Sequence, residues 1–413
     1  MNPKVIDLFA GCGGLSLGLE QAGFEPVFVN ELNINAMGTY LLNRSHLELS
    51  GSDGHSFDIK DLSSTAETAQ EFGRMVKEKH GEIALVCGGP PCQGYSGIGH
   101  RRTFNLSKEE MPTNHLYRDM ATVVESVAPK MFLFENVRGL LNSKWTASGE
   151  SGEIWRDVQK AFRDIEVSIR GKKYRYLIGW RLVFAKDFGV AQNRPRVIMV
   201  GLREDISFNA SDSQDKGLLP EGIAGAPDLI DLLSDLADPK WRKLGVTEKY
   251  LKAPESEVQE LLRAPVGNRT FNVGDKLGEQ EYSKHSDLVV EKFTYMLKHG
   301  KDLPEHMKTK KFSQRPLPSK WGPNGPSITA TSLPDDYVHY SHPRVLTVRE
   351  WARLQYFPDS YEFVGKRTTG GRRRAGDPDA GDWSREVPKY TQIGNAVPVE
   401  LARQIGLHLR KLI

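Results

Sequence analysis

Short apolar runs alternate with amphipathic patterns through the first half of the chain. The amphipathic patterns predict one helix from Leu15 to Ala22, which ends at Gly23, and another from Ala121 to Val127. The runs with the length and composition of strands are Val5 to Phe9, Pro26 to Asn30, a short run ending at Phe57-Asp58-Ile59, Ile83 to Cys87, and Met131 to Phe134. Strands that alternate with helices usually pair in parallel. This half is therefore predicted to be a parallel α/β sheet.

Two further apolar runs follow at closer spacing. Trp180 to Ala185 and Val197 to Leu202 are joined by Lys186 to Arg196, and the pair is predicted to form an antiparallel hairpin. Beyond these strands the chain becomes acidic and is interrupted by Pro and Gly, with short helices predicted at Leu229 to Leu236 and Ser256 to Arg263. We place a domain boundary after the second run of the hairpin.

Helical patterns return near the C-terminus. Thr347 and Glu350 have the spacing of a capping box, which predicts a helix from Val348 to Tyr356 that Pro358 ends. A last helix is predicted from Asn395 to Leu412, with a proline in its first turn. Its apolar stripe consists of Val399, Ala402, Ile405, Leu409 and Ile413.

Charge is distributed unevenly, although the net charge is only +3. Residues 203–291 hold 11 basic and 18 acidic side chains, whereas residues 292–320 hold 8 basic and 2 acidic ones. A second basic concentration runs from Lys366-Arg367 to Arg372-Arg373-Arg374. These stretches are candidates for contacts with nucleic-acid phosphates, and solvated surface is the alternative for each of them.

The turn after the first strand, Ala10-Gly-Cys-Gly-Gly14, is typical of a nucleotide-cofactor fold, because glycines let the backbone approach a ligand. Ser16 stands where the dinucleotide fingerprint requires a third glycine, so no pyrophosphate is expected on the helix. Glu31 ends the second strand 20 residues after Gly11, where a carboxylate can accept from ribose hydroxyls, and Asp58 can accept from an adenine amino group. This combination indicates S-adenosylmethionine; a degenerate Rossmann fold for another nucleotide is the alternative.

A stiff turn follows the strand Ile83 to Cys87. Gly88-Gly89-Pro90-Pro91 turns the backbone outward at the carboxyl end of the strand, where open α/β sheets bind ligands. The two prolines fix φ and remove two backbone donors. Cys92 comes directly after them and is a candidate nucleophile, with inert loop cysteine as the alternative.

Together these motifs resemble those of the cytosine-C5 DNA methyltransferase family. The matching blocks, in order, are Asp7-Leu-Phe-Ala-Gly-Cys-Gly-Gly14, Asn30-Glu31, Asp58-Ile59, Gly89-Pro-Pro-Cys-Gln93, Glu135-Asn-Val137, Gln192-Asn-Arg-Pro-Arg196, Arg349-Glu350 and Gln392-Ile-Gly-Asn-Ala-Val397. Each block alone is a weak signal, but the ordered set with these spacings is specific. The blocks cover residues 5–201 and 345–405, and the interval between matches nothing recognisable.

The resemblance implies a fold and a set of ligands. It implies a Rossmann-like methyltransferase α/β sheet, mostly parallel with a closing antiparallel hairpin, in residues 1–202, completed by a returning C-terminal helix within 388–413. A smaller, irregular target-recognition domain is expected in 203–387. The implied cofactor is S-adenosyl-L-methionine, with S-adenosyl-L-homocysteine as product and no metal. The implied partner is double-stranded DNA, with a restriction endonuclease acting separately, and the chain is expected to be a cytoplasmic monomer.

The expected chemistry assigns four residues to catalysis. C5 of cytosine is a poor nucleophile, and addition of the Cys92 thiolate to C6 would make C5 enamine-like. Glu135, a buried carboxylic acid, would hydrogen-bond or protonate N3 of the ring. Arg194 and Arg196, in the hairpin loop, would orient Glu135 and contact the cytosine O2. The base must first be extruded from the duplex.

The remaining site residues divide by ligand. Those expected at the cofactor are Asp7, Phe9, Gly11, Gly13, Gly14, Leu15, Glu31, Leu32, Asp58, Ile59, Pro91, Asn395 and Val397. Those expected at DNA are Gln93, Ser96, Arg101, Arg102, Lys308, Lys310 and Lys311. Residues 96–102 are also expected to close over the target base, since the segment has glycine hinges and two arginines.

Other classes fit the sequence less well. An amino methyltransferase would carry Pro-Pro-Tyr in place of Pro-Pro-Cys-Gln, and a cysteine phosphatase would need arginine at Ile98. A transfer-RNA cytosine methyltransferase and a non-catalytic DNA-binding relative stay open as alternatives. The three cysteines (Cys12, Cys87 and Cys92) build no disulfide framework and have no metal-ligand spacing with the 11 histidines. No signal peptide or membrane-spanning run is seen.

Overall fold

The structure is a computed structural model, and it describes residues 2–49, 53–91, 115–146, 148–223, 225–264, 270–300, 302–308, 314–320, 327, 337–368 and 386–413. Within these stretches no helix has the length and apolar character needed to cross a bilayer.

A large α/β sheet is built from the first half of the chain. Its elements, with two strands of a separate small hairpin (β6 and β7), are β1 (Lys4–Leu8), α1 (Gly14–Gln21), β2 (Glu25–Asn30), α2 (Ile34–Leu42), β3 (His55–Ser56), α3 (Lys60–Ser63), α4 (Ala66–His80), β4 (Leu85–Gly88), α5 (Leu116–Val127), β5 (Met131–Val137), α6 (Glu153–Arg163), β6 (Val167–Ile169), β7 (Lys172–Tyr174), β8 (Tyr176–Phe184) and β9 (Pro195–Arg203). Short 3₁₀ turns follow β5 at Arg138–Asn142 and β8 at Ala185–Asp187.

The sheet has seven strands in the order β3-β2-β1-β4-β5-β9-β8. The pairs among β1 to β5 are parallel, and β9 runs antiparallel to both β5 and β8. The predicted mostly parallel sheet with an antiparallel hairpin is therefore confirmed. Because β1 lies between β2 and β4, the strand order reverses at β1, and ligands of such sheets bind at the carboxyl ends beside that reversal.

Alternate residues of each strand are buried on opposite faces of the sheet. On β5, Met131 and Leu133 belong to the core on one face, and Phe132 and Phe134 belong to the core on the other. The first core continues into the second half of the chain, where it includes Trp351. Both faces of the sheet are thus covered, as parallel sheets require.

The C-terminal segment returns to pack on α1, as the family resemblance implied. The predicted single helix from Asn395 to Leu412 was wrong, because the chain forms α12 (Lys389–Asn395) and α13 (Val399–Leu409) with a break between them. Pro398 is the cause, since a proline restricts the preceding residue to extended backbone. Ile413 lies past α13 and is 36% exposed, so it does not belong to the buried stripe.

The second half contains short elements joined by irregular chain. They are α7 (Leu229–Leu233), α8 (Trp241–Leu244), α9 (Glu257–Arg263), α10 (Asp287–His299), β10 (Arg315–Pro316), β11 (Tyr337–Val338) and α11 (Val348–Leu354), with 3₁₀ turns at Ser234–Leu236 and Glu305–Met307. The predicted capping box at the start of α11 is confirmed: the Thr347 side chain accepts from Glu350 N, and the Glu350 side chain accepts from Thr347 N.

Buried ion pairs connect these short elements. Arg353 is fully buried and lies between two carboxylates, with Nη1 2.5 Å from Asp235 Oδ1 and Nη2 2.6 Å from Asp359 Oδ2. Arg344 donates two hydrogen bonds to Glu350, at 2.7 and 2.6 Å. Burial alone would raise the pKa of Glu350 and of Asp359, but the facing guanidinium groups hold both pKa values below their ordinary range.

A neutral histidine lies against the same cluster. The ring of His339 is fully buried, and its Nδ1 accepts from the backbone N–H groups of Ser341 and His342 at 3.1 and 3.2 Å. Its Nε2 lies 3.7 Å from Glu350 Oε1. Burial, aided by the charge of Arg344, holds the pKa of His339 well below its ordinary value.

We expect His339 to make the fold acid-sensitive. The unfolded chain takes up a proton at this histidine below about pH 6.5, whereas the folded chain does not, so stability is lost as pH falls. Unfolding in urea at several pH values should show that His339→Asn removes up to about 1.4 kcal/mol per pH unit of this dependence below pH 6.5. Both proteins keep Asp7, Glu350 and Asp359, so the difference isolates the histidine. Equal slopes in both would contradict the assignment.

The contact between α1 and α13 should not accept a side chain at Gly18. A β-carbon there would lie 2.3 Å from Val399 O and 2.7 Å from Arg403 N, both of which are backbone atoms. Gly18→Ala should therefore lower the free energy of unfolding by about 1–3 kcal/mol. In Gly38→Ala, the matched control in α2, the nearest contact is 3.5 Å, and the variant should gain about 0.5–1 kcal/mol from helix propensity. Equal effects of the two substitutions would show that this helix contact is loose.

Candidate active site

A tight loop, residues 9–14, follows β1 at the carboxyl edge of the sheet and is called the glycine loop. Three of its residues have left-handed backbone: Phe9 with φ 54°, Gly11 with φ 58° and Gly13 with φ 85°. Phe9 is a non-glycine residue in this region, which is uncommon and concentrates at functional sites. Its side chain is partly buried and packs against the core on one face of the sheet.

The glycines of this loop have different structural roles. A β-carbon at Gly13 would lie 2.7 Å from Arg44 Nη1, and one at Gly14 would lie 2.4 Å from Val397 O. These two glycines are therefore required by packing inside the protein. At Gly11 a β-carbon would meet no atom within 4 Å, so this part of the loop faces open space. A ligand could approach the backbone there.

A carboxylate stands beside the open glycine. Glu31 Oε2 accepts from Gly11 N at 2.8 Å, and Oε1 accepts from Asn33 N at 2.7 Å. Burial raises the pKa of Glu31, against the lowering effect of these two backbone donors. The side chain is thus held in one orientation, with lone pairs left for further donors. Leu32, the next residue, is 72% exposed.

The buried side chain of Asn30 joins three strand ends. Its Nδ2 donates to Ser56 Oγ at 3.0 Å and to Phe57 O at 3.1 Å, and its Oδ1 accepts from Phe9 N at 3.5 Å. The loops after β1, β2 and β3 are therefore fixed relative to one another. Sequence reasoning quoted Asn30 within a motif but gave it no role.

Asp58 and Ile59 lie on the loop after β3. Asp58 is exposed and uses Oδ1 to accept from Lys60 N at 2.9 Å, while Ile59 is buried. Helix α3, which follows this loop, is bonded to α5, because Asp119 Oδ1 accepts from Lys60 Nζ at 2.5 Å and from Ser63 Oγ at 2.8 Å.

Asp7 lies inside the protein. Its side chain is 1% exposed, and Oδ1 accepts from Cys87 Sγ at 3.6 Å. Burial raises the pKa of Asp7 to about 7, although the charge of Arg44 acts in the opposite direction. The expected contact of Asp7 with the cofactor stays a prediction.

Glu135 and Arg196 form an ion pair at the same edge of the sheet. Glu135 belongs to β5, which extends three residues further than predicted, and its Oε1 lies 2.5 Å from Arg196 Nε. Both residues are largely buried, at 9% and 8% exposure. A β-carbon at Gly89 would lie 2.7 Å from Glu135 Oε2. Glycine is therefore needed in the Pro-Pro turn to make room for the carboxylate.

The turn is also anchored to β5. Asn136 Nδ2 donates to Pro90 O at 3.1 Å, and Asn136 Oδ1 accepts from Val137 N at 2.9 Å. Pro91 is the last described residue of the turn, and Cys92 lies outside the described residues. Pro91, the residue before Cys92, thus belongs to a turn that is held beside Glu135.

Arg194 has a different setting from Arg196. It is 1% exposed, and its described hydrogen bonds run from Nη2 to Gly394 O at 2.8 Å and to Asn395 O at 3.4 Å. These bonds tie the hairpin to α12. The expected role of Arg194 in orienting Glu135 stays a prediction. Gln192 supports the same region by donating to Leu354 O at 2.7 Å.

The C-terminal segment lies against the start of α1. Val397 is buried there through the Gly14 contact, and Leu15 is buried in the first turn of the helix. Asn395 is exposed at the end of α12, so its side chain is available to a ligand.

Of the residues expected at DNA, only Lys308 is described. It is exposed and its Nζ lies 2.7 Å from Glu305 Oε2. The others, Gln93, Ser96, Arg101, Arg102, Lys310 and Lys311, lie outside the described residues, as do Arg372 to Arg374. In the described part of the chain, no group of three or more His, Cys, Asp or Glu side chains could hold a metal ion.

Two residues that the sequence did not reveal support the glycine loop from within. Arg44 Nη2 donates to Gly13 O at 3.1 Å, and the hydroxyl of Tyr361 donates to Cys12 O at 2.5 Å. Neither residue belongs to a short sequence motif that includes the loop, since each is far from it along the chain. Only the tertiary fold brings them together.

Known proteins are similar to this chain over nearly its whole length. The model of the C-5 cytosine-specific DNA methylase family matches residues 3–411. Type II methyltransferase M.DdeI of Desulfomicrobium norvegicum is 30% identical over 98% of this chain and 87% of its own length. Type II methyltransferase M1.HphI of Haemophilus parahaemolyticus is 26% identical over 100% of this chain and 88% of its own length.

A solved structure has the same fold. The crystal structure of a prophage-encoded DNA modification methyltransferase from E. coli superposes with a TM-score of 0.66, at 24% identity over 99% of both chains. With the family match over nearly the whole length, the conclusion is direct. The chain belongs to the C-5 cytosine-specific DNA methylase family and is a DNA cytosine-5 methyltransferase.

Proposed function

We propose that this enzyme methylates C5 of a cytosine within a specific sequence of duplex DNA, as the modification enzyme of a type II restriction-modification system. The observation that carries the mechanism is the Glu135–Arg196 pair beside the Pro-Pro turn that precedes Cys92. Relatives named as type II methyltransferases support the biological setting. A restriction endonuclease would act as a separate protein, and the methyltransferase would work as a monomer.

The reaction begins with the pyrimidine ring. The Cys92 thiolate adds to C6, which pushes electron density through the ring and makes C5 nucleophilic. A hydrogen bond or proton at N3 stabilises the charge that this addition creates. After C5 accepts the methyl group, its proton leaves to a base, the electron pair re-forms the C5–C6 double bond, and the Cys92 thiolate departs.

Glu135 would make the N3 contact. With Oε1 held by Arg196, Oε2 is the oxygen that faces the turn; in its protonated form it would donate to N3, and its lone pair would accept from the amino group of the base. The guanidinium of Arg196 fixes the carboxyl group in a single orientation. Arg194 would help to orient Glu135, and its hydrogen bonds to Gly394 and Asn395 fix the hairpin to α12.

The residues at the glycine loop fit S-adenosylmethionine, which supplies the methyl group when bound. Glu31 would accept from the ribose hydroxyls, Asp58 Oδ2 would accept from the adenine amino group, and Leu32 would cover the adenine face. The open space at Gly11 leaves room for backbone contact with the ligand. Asn395 would hydrogen-bond the amino-acid end of the cofactor.

The target cytosine would be extruded from the duplex, because C5 and C6 are buried in the stack. Sequence choice is assigned to the segment 203–387. Its basic residues near Lys308 would contact phosphates, which position the protein without reading bases. Residues 96–102 would close over the extruded base.

Glu31→Ala should weaken the binding of S-adenosylmethionine by about 1–3 kcal/mol, as removal of a partner from a buried polar group does. Asp58→Ala should have an effect in the same range if it holds the adenine amino group. Isothermal titration calorimetry without DNA measures both, and Glu204→Ala, at a carboxylate far from the sheet's carboxyl edge, is the control. Unchanged affinity in both variants would mean that the cofactor site lies elsewhere.

Trapping on fluorinated DNA tests the nucleophile. The recognition sequence need not be known if a long duplex of mixed sequence is used in which 5-fluorocytosine replaces every cytosine. Fluorine at C5 cannot leave as a proton does. Wild-type enzyme with S-adenosylmethionine should form a covalent adduct on a denaturing gel, and Cys92→Ala should form none. Glu135→Gln should slow adduct formation about 10²- to 10⁴-fold while S-adenosylhomocysteine still binds.

Two results would overturn the assignment. Turnover by Cys92→Ala would remove the thiol from the mechanism, and an adduct formed by Glu135→Gln at the wild-type rate would remove the carboxyl group. Methyl transfer to transfer RNA instead of duplex DNA would place the enzyme with the transfer-RNA methyltransferases.

A further inference from the structure

The hydroxyl of Tyr361 is built into the floor of the glycine loop. Tyr361 lies on the chain after α11 and is 3% exposed. Its hydroxyl donates to Cys12 O at 2.5 Å and accepts from Arg44 Nη1 at 3.0 Å. One side chain from the second half of the sequence therefore contacts the loop that begins the first half.

Arg44 completes the floor. It is 2% exposed, and besides the tyrosine hydroxyl it binds Gly13 O at 3.1 Å and the carboxylate of Glu20 at 2.7 Å. Two consecutive carbonyl groups of the loop, those of Cys12 and Gly13, are thus held from within. Because the C=O and N–H of a trans peptide point in opposite directions, this turns the N–H of Gly14 away from Arg44.

Tyr361 is itself fixed by the buried ion pairs. Its backbone carbonyl accepts from Arg349 Nη2 at 2.9 Å, and Arg349 Nη1 donates to Pro358 O at 3.0 Å. Asp359 is paired with Arg353, which also binds Asp235. A continuous set of buried polar contacts therefore runs from the segment assigned to DNA recognition to the carbonyl of Cys12.

We propose that Tyr361 is a positioning residue for the cofactor loop, through which the recognition segment sets the conformation that S-adenosylmethionine binds. This inference rests on the proposed cofactor site. Cofactor affinity would then depend on how firmly residues 349–361 are held in this conformation. By thermodynamic linkage, cofactor binding would stabilise that segment in turn.

The test compares two tyrosines that differ in location. Tyr361→Phe keeps the ring and its packing against Phe357 and Phe363 but removes the hydroxyl. Tyr176→Phe is the matched control, since its buried hydroxyl donates to Pro129 O at 2.8 Å at the opposite edge of the sheet. Both variants lose one buried hydrogen bond to a backbone carbonyl, and Tyr361→Phe also loses the bond from Arg44 Nη1. The general loss of stability is therefore read from the melting temperature of each variant.

Calorimetric titration with S-adenosylhomocysteine should show about a tenfold weaker Kd for Tyr361→Phe and no change for Tyr176→Phe. In the methylation assay the KM for S-adenosylmethionine should rise with little change in kcat. In the free protein, hydrogen exchange in the peptide that spans residues 8–16 should be faster in Tyr361→Phe alone.

The outcomes separate the inference from the cofactor assignment. Wild-type protein that binds no S-adenosylhomocysteine would overturn the cofactor site and this inference with it. Wild-type binding together with unchanged affinity and exchange in Tyr361→Phe would overturn only the role of Tyr361. Equal weakening in Tyr361→Phe and Tyr176→Phe would show a general effect of stability and would also overturn it.

Discussion

The close contact between the first helix and the last one is the constraint on which the rest of the molecule depends. Gly14 and Gly18 let α1 approach the backbone of residues 397–403 so closely that any larger residue would force the two segments apart. This contact buries one face of α1 and, through Val397, sets the base of the glycine loop. It also requires the chain to return to its beginning after all other elements are complete.

The second half of the molecule is organised by charge as much as by apolar packing. Its helices α7, α8, α9 and α11 have only four to seven residues, and several large buried side chains there are arginines. A buried charge is tolerated only when it is paired and hydrogen-bonded, so each of these arginines needs particular partners in a particular geometry. Such a network specifies one arrangement of irregular chain where few long helices or strands are available to do so. Arg349 and Glu350, which the sequence showed only as a motif, are members of it.

Much of the sheet could be predicted from the sequence because its strands are short apolar runs. The predicted strand from Met131 to Phe134 also put Glu135 at the carboxyl edge of the sheet, because the carboxyl ends of parallel strands meet there. Helix α4 was missed although Ala69, Phe72, Gly73 and Val76 have helical spacing. The break between α12 and α13 was missed because the effect of Pro398 on the residue before it, Val397, was overlooked.

Other features had no local signal. The partners of Arg194 and of Tyr361 lie 200 or more positions away along the chain, and hydrogen bonds of that kind arise only from the tertiary fold. Glycine spacing indicated a ligand loop, yet at Gly13 and Gly14 the absent side chain makes room for the protein itself. The position of Cys92 relative to Glu135 and the residues expected at DNA stay predictions from sequence.

The order of elements along the chain has a consequence for how the protein is made. The sheet is complete at residue 203, but α13, which covers α1, ends at Leu409. At the usual rate of synthesis, about 5–20 residues per second, the growing chain spends on the order of 10 to 40 s with the glycine face of α1 uncovered on the ribosome. A nascent chain in that interval has a nearly finished sheet and no partner for its first helix. The contact that closes the base of the glycine loop therefore forms only after α13 has been made and reaches α1.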